Sequence, residues 1–314
     1  MRLQDTDEAE EELRRACRAG GDAKLVRRLL RRAGRGAACA ASPSDGETPL
    51  HAAAAGGNAA AAAVLLRKRG VDVDARLLTD SSTPLHAAAS IGDLRTVSLL
   101  LRAGAAPDAE RDDGTRPLHL ACRAGHAEVA AVLLEALASG GNGSKWWRRS
   151  SWSCTGAAAD AGSHPADAGD EDGTTALHWA ARQGHTSVIA LLLAHGANAS
   201  AANLSGHQPL HWGARHGHAA ACQALLDGGA RPDAPNTFGY SALDYALSCG
   251  HYRVTAVFDN WQENEAAAVA AAEAAAARHK RAHSGKRRRG RQWLQRQRQP
   301  EVQQGEQELL VLEG

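Results

Sequence analysis

Fifteen histidines and six cysteines are the residues of this 314-residue chain that invite a metal or a nucleophile. Their spacing argues against both. Cys17, Cys39, Cys122, Cys154, Cys222 and Cys249 are scattered, with no Cys-x-x-Cys pair to supply half of a zinc site. That pattern fits reduced thiols in an intracellular protein rather than a disulfide scaffold. Cys122 and Cys222 fall on helical faces and read as small core residues. The histidines recur in fixed places: His51, His86, His119, His178 and His211 each close a four-residue phrase, and His126, His185, His218 and His251 each follow a glycine. One local group, His207, His211, His216 and His218, is spaced to gather two rings across a turn, but His211 and His218 already hold recurring places. There is no G-x-x-x-x-G-K-S/T phosphate loop, no G-x-S-x-G nucleophile elbow and no H-E-x-x-H zinc helix. The chain is expected to have no catalytic residue, metal ligand or cofactor.

The elements that carry these histidines repeat. The phrase appears as Thr48-Pro49-Leu50-His51, Thr83-Pro84-Leu85-His86, Arg116-Pro117-Leu118-His119 and Thr175-Ala176-Leu177-His178, then in altered form as Gln208-Pro209-Leu210-His211 and Ser241-Ala242-Leu243-Asp244. The steps between copies are 35, 33, 59, 33 and 33 residues, so the long step carries 26 extra. Threonine before proline offers an N-cap oxygen, and proline suits the first helical turn, where its missing N–H is no loss. Small residues after the histidine let one short helix lie close to a neighbour, and a glycine then ends it. A second helix follows with apolar residues at helical spacing, as in Val97 to Leu101 or Val188 to Leu193. One such pair cannot bury its apolar face alone, so the units must stack.

Composition agrees. Lys plus Arg (36) nearly balances Asp plus Glu (35), which excludes a uniformly basic nucleic-acid binder and an acidic solvating protein. Aromatic residues are only 4%, too few for one thick core, and alanine dominates, as suits thin layers. Met1 to Asp5 leads directly into acidic residues with no apolar signal region, and no apolar run approaches the roughly 18 residues of a membrane span.

With the T-P-L-H phrase and a 33-residue period, the sequence resembles the ankyrin-repeat family. The resemblance implies an all-α solenoid of about seven helix-turn-helix units, including caps, with short β-hairpin or turn fingers. It implies that the phrase histidines bond to backbone, and that the inner helices and fingers line a concave face where ligands are selected. It covers residues 11–260, with a divergent first unit near Leu13 to Gly34 and a last unit whose Asp244 suits a terminal cap. Residues 1–10 are expected as an acidic N-terminal tail, and about 139–168 as a flexible insertion.

Aligning the copies gives the candidate contact residues. Arg123, Arg182 and Arg215 share one inner-helix position in three successive units, a row about 10 Å apart by ordinary helix packing. Arginine pairs bidentately with carboxylate or phosphate, so the row would grip an acidic segment. Leu120, Trp179, Trp212 and Tyr245 share another position and form a neighbouring apolar row; Phe238 and Tyr240 join them as candidates. The finger carboxylates Asp112, Asp113, Glu171 and Asp172 either take part or neutralise the arginines internally.

Two segments lie outside the period. The insertion contains Lys145-Trp146-Trp147-Arg148-Arg149-Ser150-Ser151-Trp152, a docking motif or tryptophans folded back on the solenoid, with Ser151 in a basophilic kinase context. Residues 261–314 begin as an Ala-rich helix and continue as a basic, largely disordered tail containing Lys286, Arg287, Arg288, Arg289 and Arg291, a nuclear-import signal, a nucleic-acid contact or a solvated run. The leading expectation is a monomeric, non-catalytic adaptor, cytoplasmic or nuclear, that binds another protein and no membrane. The alternative is a nuclear regulator whose tail contacts nucleic acid or importin.

Overall fold

The computed structural model describes residues 2–34, 36–139, 164–267 and 270–273. Short helices form where the phrase directs them. Pro49, Pro84, Pro117 and Pro209 occupy the first turn of their helices, and the preceding residue is extended. Seven units result: α1 (Arg2–Arg18) with α2 (Ala23–Ala33), α3 (Pro49–Ala55) with α4 (Ala59–Leu65), α5 (Pro84–Ile91) with α6 (Leu94–Arg102), α7 (Pro117–Ala124) with α8 (Ala127–Ala138), α9 (Ala176–Gln183) with α10 (Thr186–Ala194), α11 (Pro209–Arg215) with α12 (Ala219–Asp227), and α13 (Ala242–Ser248) with helical residues 252–258. First helices stack on first helices from α1 to α13, and second helices on second helices from α2 to α12, so the fold is an all-α, two-layer repeat. The described residues contain no strand. The fingers are joined by single backbone bonds such as Leu78 N to Asp45 O (2.8 Å), Glu171 N to Asp113 O (3.1 Å) and Leu204 N to Asp172 O (2.9 Å). The chain divides at Phe258; of the unit from Asp259, residues 259–267 and 270–273 are helical.

The core is a line of leucines held between alanines. Leu50, Leu85, Leu177 and Leu210 of the first helices and Leu65, Leu100, Leu133, Leu192 and Leu225 of the second are buried, with Ala52 to Ala54, Ala88, Ala89, Ala180 and Ala181 around them. Each leucine contributes about 2 kcal/mol relative to exposure, and the alanines set how closely the helices approach. Residues 2–10 do not form a separate tail. They belong to α1, because Ala9, Leu13 and Cys17 fall at four-residue spacing and are buried as one stripe. Residues 164–168 likewise belong to the fifth finger rather than to the insertion: Ala166 is buried and Asp167 accepts from the Asn198 amide at 2.8 Å. Asp74 plays the same part for Ala106.

The histidines join the units in both directions. Nε2 of His51, His86, His119, His178 and His211 bonds the backbone carbonyl of Ser82, Thr115, Ala168, His207 and Tyr240 in the next unit, at 2.8–3.2 Å. A carbonyl only accepts, so Nε2 carries the proton. Nδ1 is then bare, and it accepts the backbone N–H three residues earlier at 3.0–3.3 Å. The threonine hydroxyls of Thr48, Thr83 and Thr175 also lie 2.9–3.0 Å from Nδ1, closer than the 3.4 Å of the N-cap bond from His51 N to Thr48. The expected cap oxygen thus serves mainly to fix the ring. In the last unit Asp244 accepts from Ser241 N and Oγ, reproducing the Nδ1 half of the device where no further unit needs the other half.

A second set points backward. His126, His185, His218 and His251 bond through Nε2 to the carbonyls of Ser90, Arg123, Arg182 and Arg215 in the preceding unit, at 3.0–3.2 Å. Glycine is required beneath these rings. Gly125 and Gly184 have φ of +82° and +75°, and a Cβ there would sit 2.7 and 2.6 Å from His185 and His218. Asn58 makes the corresponding bonds to Cys17 and Gly21 in the first unit.

Burial holds the phrase imidazoles neutral, pushing His86, His119 and His178 down to about 4 against a carbonyl bond that acts the other way. Their unfolded counterparts titrate near 6.5, so the contribution to stability is complete above that pH and is lost as pH falls from 6.5 to about 4. Urea titrations are expected to show stability nearly constant from pH 8 to 7 and falling by about 2 kcal/mol for each of these three rings by pH 5. A flat profile down to pH 5 would contradict the neutral bridge. Ser81 stands at φ +57° where the other fingers have glycine, as at Gly114 (+72°) and Gly173 (+73°). Ser81→Gly is expected to stabilise the stack by about 0.5–1 kcal/mol, despite losing the exposed bond to Asp112, and to raise the urea midpoint.

Candidate protein-binding surface

The exposed edge of the first-helix layer is built from the position two residues before the glycine of each Gly-His turn and the position five residues before it. Arg123 lies on α7, Trp179 and Arg182 on α9, Trp212 and Arg215 on α11, and Tyr245 on α13. Successive helices bring them into one line. The Arg123 guanidinium lies 5.1 Å from the Trp179 ring centre, and that of Arg182 lies 5.4 Å from Trp179 and 5.5 Å from Trp212. Trp179 and Trp212 meet edge to face at 5.6 Å. The arginine row and the ring row thus lie side by side and in contact, with Arg182 over both tryptophans. Leu120 shares the ring position on α7, but it has no aromatic face, and Arg123 stacks forward on the next unit instead.

Stacking uses the flat face of a guanidinium and leaves its N–H edge for acceptors. Arg123, Arg182 and Arg215 are exposed, and none forms an ion pair with a carboxylate among the described residues. Their backbone is fixed from behind, since the carbonyls of these three residues are the ones held by His185, His218 and His251. The spacing of the Gly-His pairs showed a repeat but gave no sign that it anchors the arginines. The Trp179 indole N–H is buried with no acceptor among the described residues.

Beyond Trp212 the edge becomes aromatic. The Tyr245 hydroxyl lies 3.0 Å from His207 Nε2, and Asn236 Nδ2 donates to both at 3.1 Å. Tyr240 lies 6.1 Å from Tyr245 ring to ring, and Phe238 lies 6.4 Å from His207. Phe238 and Tyr240 are 68% and 56% exposed, far more than such rings tolerate in a core. Leu204, on the neighbouring finger and 62% exposed, belongs with them; it was not singled out because one leucine in a finger carries no periodic signal.

The finger acids do not neutralise the arginines. Asp112 accepts from the Ser81 hydroxyl at 2.5 Å, Asp113 accepts from the Thr115 amide at 2.9 Å, and Glu171 and Asp172 join adjacent fingers through their backbone. All four side chains are exposed. Burial and the Arg215 charge lower the pKa of His207, and both ring nitrogens of His211 are engaged by backbone. No group of three or more His, Cys, Asp or Glu among the described residues is placed to hold a metal ion. Burial pushes the Cys17 and Cys222 thiols up to about 12, and Cys122 higher still, far from a reactive thiolate. Trp146, Trp147, Ser151 and Trp152 of the insertion, and Lys286, Arg287, Arg288, Arg289 and Arg291 of the tail, lie outside the described residues. No helix among the described residues is long and apolar enough to cross a membrane.

A stack of short helix pairs bonded unit to unit is a helical-repeat fold. Comparison with protein families matches ankyrin repeats in three copies, at residues 13–110, 69–142 and 156–236, and the chain belongs to the ankyrin-repeat family. Ankyrin repeats are generally protein–protein interaction modules and non-enzymatic binding scaffolds. Comparison with curated proteins finds no match.

This edge contributes little to folding through its exposed cations. Arg182→Gln is expected to lower stability by about 1 kcal/mol or less, whereas Trp179→Ala, which removes a half-buried ring shared by two arginines, lowers it by about 2–3 kcal/mol. Urea denaturation followed by circular dichroism measures both. Equal losses would mean that the arginines, not the rings, hold this edge.

Proposed function

We propose that the chain is a non-catalytic scaffold that captures another protein on the Arg123–Trp179–Arg182–Trp212–Arg215–Tyr245 strip. The observation that carries this reading is a set of three exposed arginines with no carboxylate of their own among the described residues, each on backbone held by a histidine of the following unit. A fold that needed these charges internally would have paired them. Rings of the kind that dominate binding hot spots lie beside the cations, and the pre-set stack loses little ordering entropy when a partner docks. The face is concave in this family, which allows a partner to touch several units at once.

The test is affinity purification with the full chain against the double variant Arg182→Glu, Trp212→Ala, quantified by mass spectrometry. Proteins retained by the wild type are expected to be lost from the variant by about tenfold or more, while thermal unfolding of the variant stays cooperative. Unchanged recovery would remove the strip as the interface.

A further inference from the structure

The last finger is closed by a three-way contact. Asn236 is buried, and the orientation of its side chain is fixed. Its Oδ1 accepts the backbone N–H groups of Phe238 and Tyr240 at 2.9 and 3.0 Å, so its Nδ2 faces the other way. There Nδ2 lies 3.1 Å from His207 Nε2 and 3.1 Å from the Tyr245 hydroxyl, which is itself 3.0 Å from the same ring nitrogen. An amide nitrogen only donates, so His207 Nε2 is a bare acceptor and the neutral ring carries its proton on Nδ1. This is the reverse of the phrase histidines, whose Nε2 donates to a carbonyl.

We propose that His207, Asn236 and Tyr245 form a proton-sensitive latch: protonation of His207 releases the amides of Phe238 and Tyr240 and loosens the Phe238 ring from the finger. The hydroxyl suits either state, because it accepts as well as donates. The amide does not. A proton on Nε2 meets an Asn236 N–H head on, and the contact survives only if the amide turns over. Oδ1 then leaves the two backbone N–H groups that shape the tip. The finger itself stays attached, since Thr237 Oγ1 donates to Ser205 O at 2.7 Å, and Tyr240 O accepts from Asn236 N at 2.9 Å and from His211 Nε2 at 3.2 Å. The release is therefore local to Phe238, 68% exposed with its ring 6.4 Å from His207, and to the Tyr240 amide.

Residue choice supports the latch. Asp45, Asp80, Asp113 and Asp170 hold the corresponding place in earlier fingers, each accepting the amide two residues on at 2.9–3.1 Å, as Asn236 does. A carboxylate at 236 would turn its second oxygen to His207 and favour the charged ring, whereas the amide accepts only the neutral one. The surroundings act in the same sense. Burial, with the like charge of Arg215 on α11 behind it, holds the pKa of His207 below its ordinary 6.5. The other titratable groups around the ring are His211 on α11, His178 on α9 and Tyr245 on α13, and none is a carboxylate. The latch is thus closed at neutral pH and opens as pH falls through a midpoint below 6.5. Tyr245 also belongs to the strip proposed as the contact surface, but the latch does not rest on that reading.

The test is NMR of the intact chain from about pH 7.5 to 5, following the His207 ring nitrogens together with the backbone N–H signals and relaxation of Phe238 and Tyr240. His207 is expected to start neutral with its proton on Nδ1, and the two amides to lose order with the same midpoint as the ring. Asn236→Asp keeps an acceptor for both amides and turns oxygen to Nε2. It is expected to make His207 bind its proton at least about tenfold more tightly and to hold the tip ordered at pH 5.5. His207→Gln, an acceptor that does not titrate, is expected to keep the tip ordered throughout. A proton on Nε2 at the start, or amides that keep their order while His207 titrates, overturns the latch. So does an unmoved midpoint in Asn236→Asp, or loss of order on acidification in His207→Gln. The titration of the unsubstituted chain decides alone if a variant fails to fold.

Discussion

A neutral imidazole bonded at both nitrogens is the interaction on which this stack depends. Nδ1 accepts an N–H within its own unit and Nε2–H donates to a carbonyl of the next, so one side chain fixes both its own helix start and the neighbouring finger. The bridge requires one tautomer and no charge, and near-complete burial enforces that state. It also keeps the fourth and fifth units bonded although 26 extra residues separate their phrases in sequence. His119 reaches Ala168 across 49 residues and His185 reaches back to Arg123 across 62, so the fourth and fifth units stay bonded while the added chain leaves between α8 and Pro165.

The same constraint shapes the candidate site. Histidines that close the stack from the second-helix side hold the carbonyls of Arg123, Arg182 and Arg215, and rings on the following helices hold the guanidinium groups of Arg123 and Arg182. Each arginine is thus located by the unit after it. Exposed charge, which would otherwise lose rotamer freedom on binding, is ordered in advance by bonds that exist for packing. The fold and the contact surface share one set of interactions, so substitutions in the Gly-His turns reach the arginines without touching them.

Much of the fold was legible because the repeat writes its chemistry into residue type. Proline at the first turn, histidine two residues on and glycine at the end recur in register, and each answers a backbone requirement that local sequence displays. The last unit was legible for the same reason: Asp244 keeps the acceptor and drops the donor. Four features were not. The start of α1 looked like an acidic tail because charge masks the buried stripe of Ala9, Leu13 and Cys17. The end of the insertion looked continuous with its Ala- and Gly-rich middle, although Asp167 caps the Asn198 amide. The stacking of arginine on tryptophan depends on side chains reaching from one unit to the next, and alignment of the copies gives positions but not reach. Leu204 escaped notice because its exposure, not its type, marks it.

The central claim is tested most directly by long-range proton–nitrogen NMR of the imidazoles in the intact chain at pH 5.5. If the bridges are as described, His86, His119 and His178 show the neutral form with the proton on Nε2 and a bare Nδ1, while free histidine is largely protonated at that pH. Protonated rings, or the proton on Nδ1, at these three positions would contradict the account.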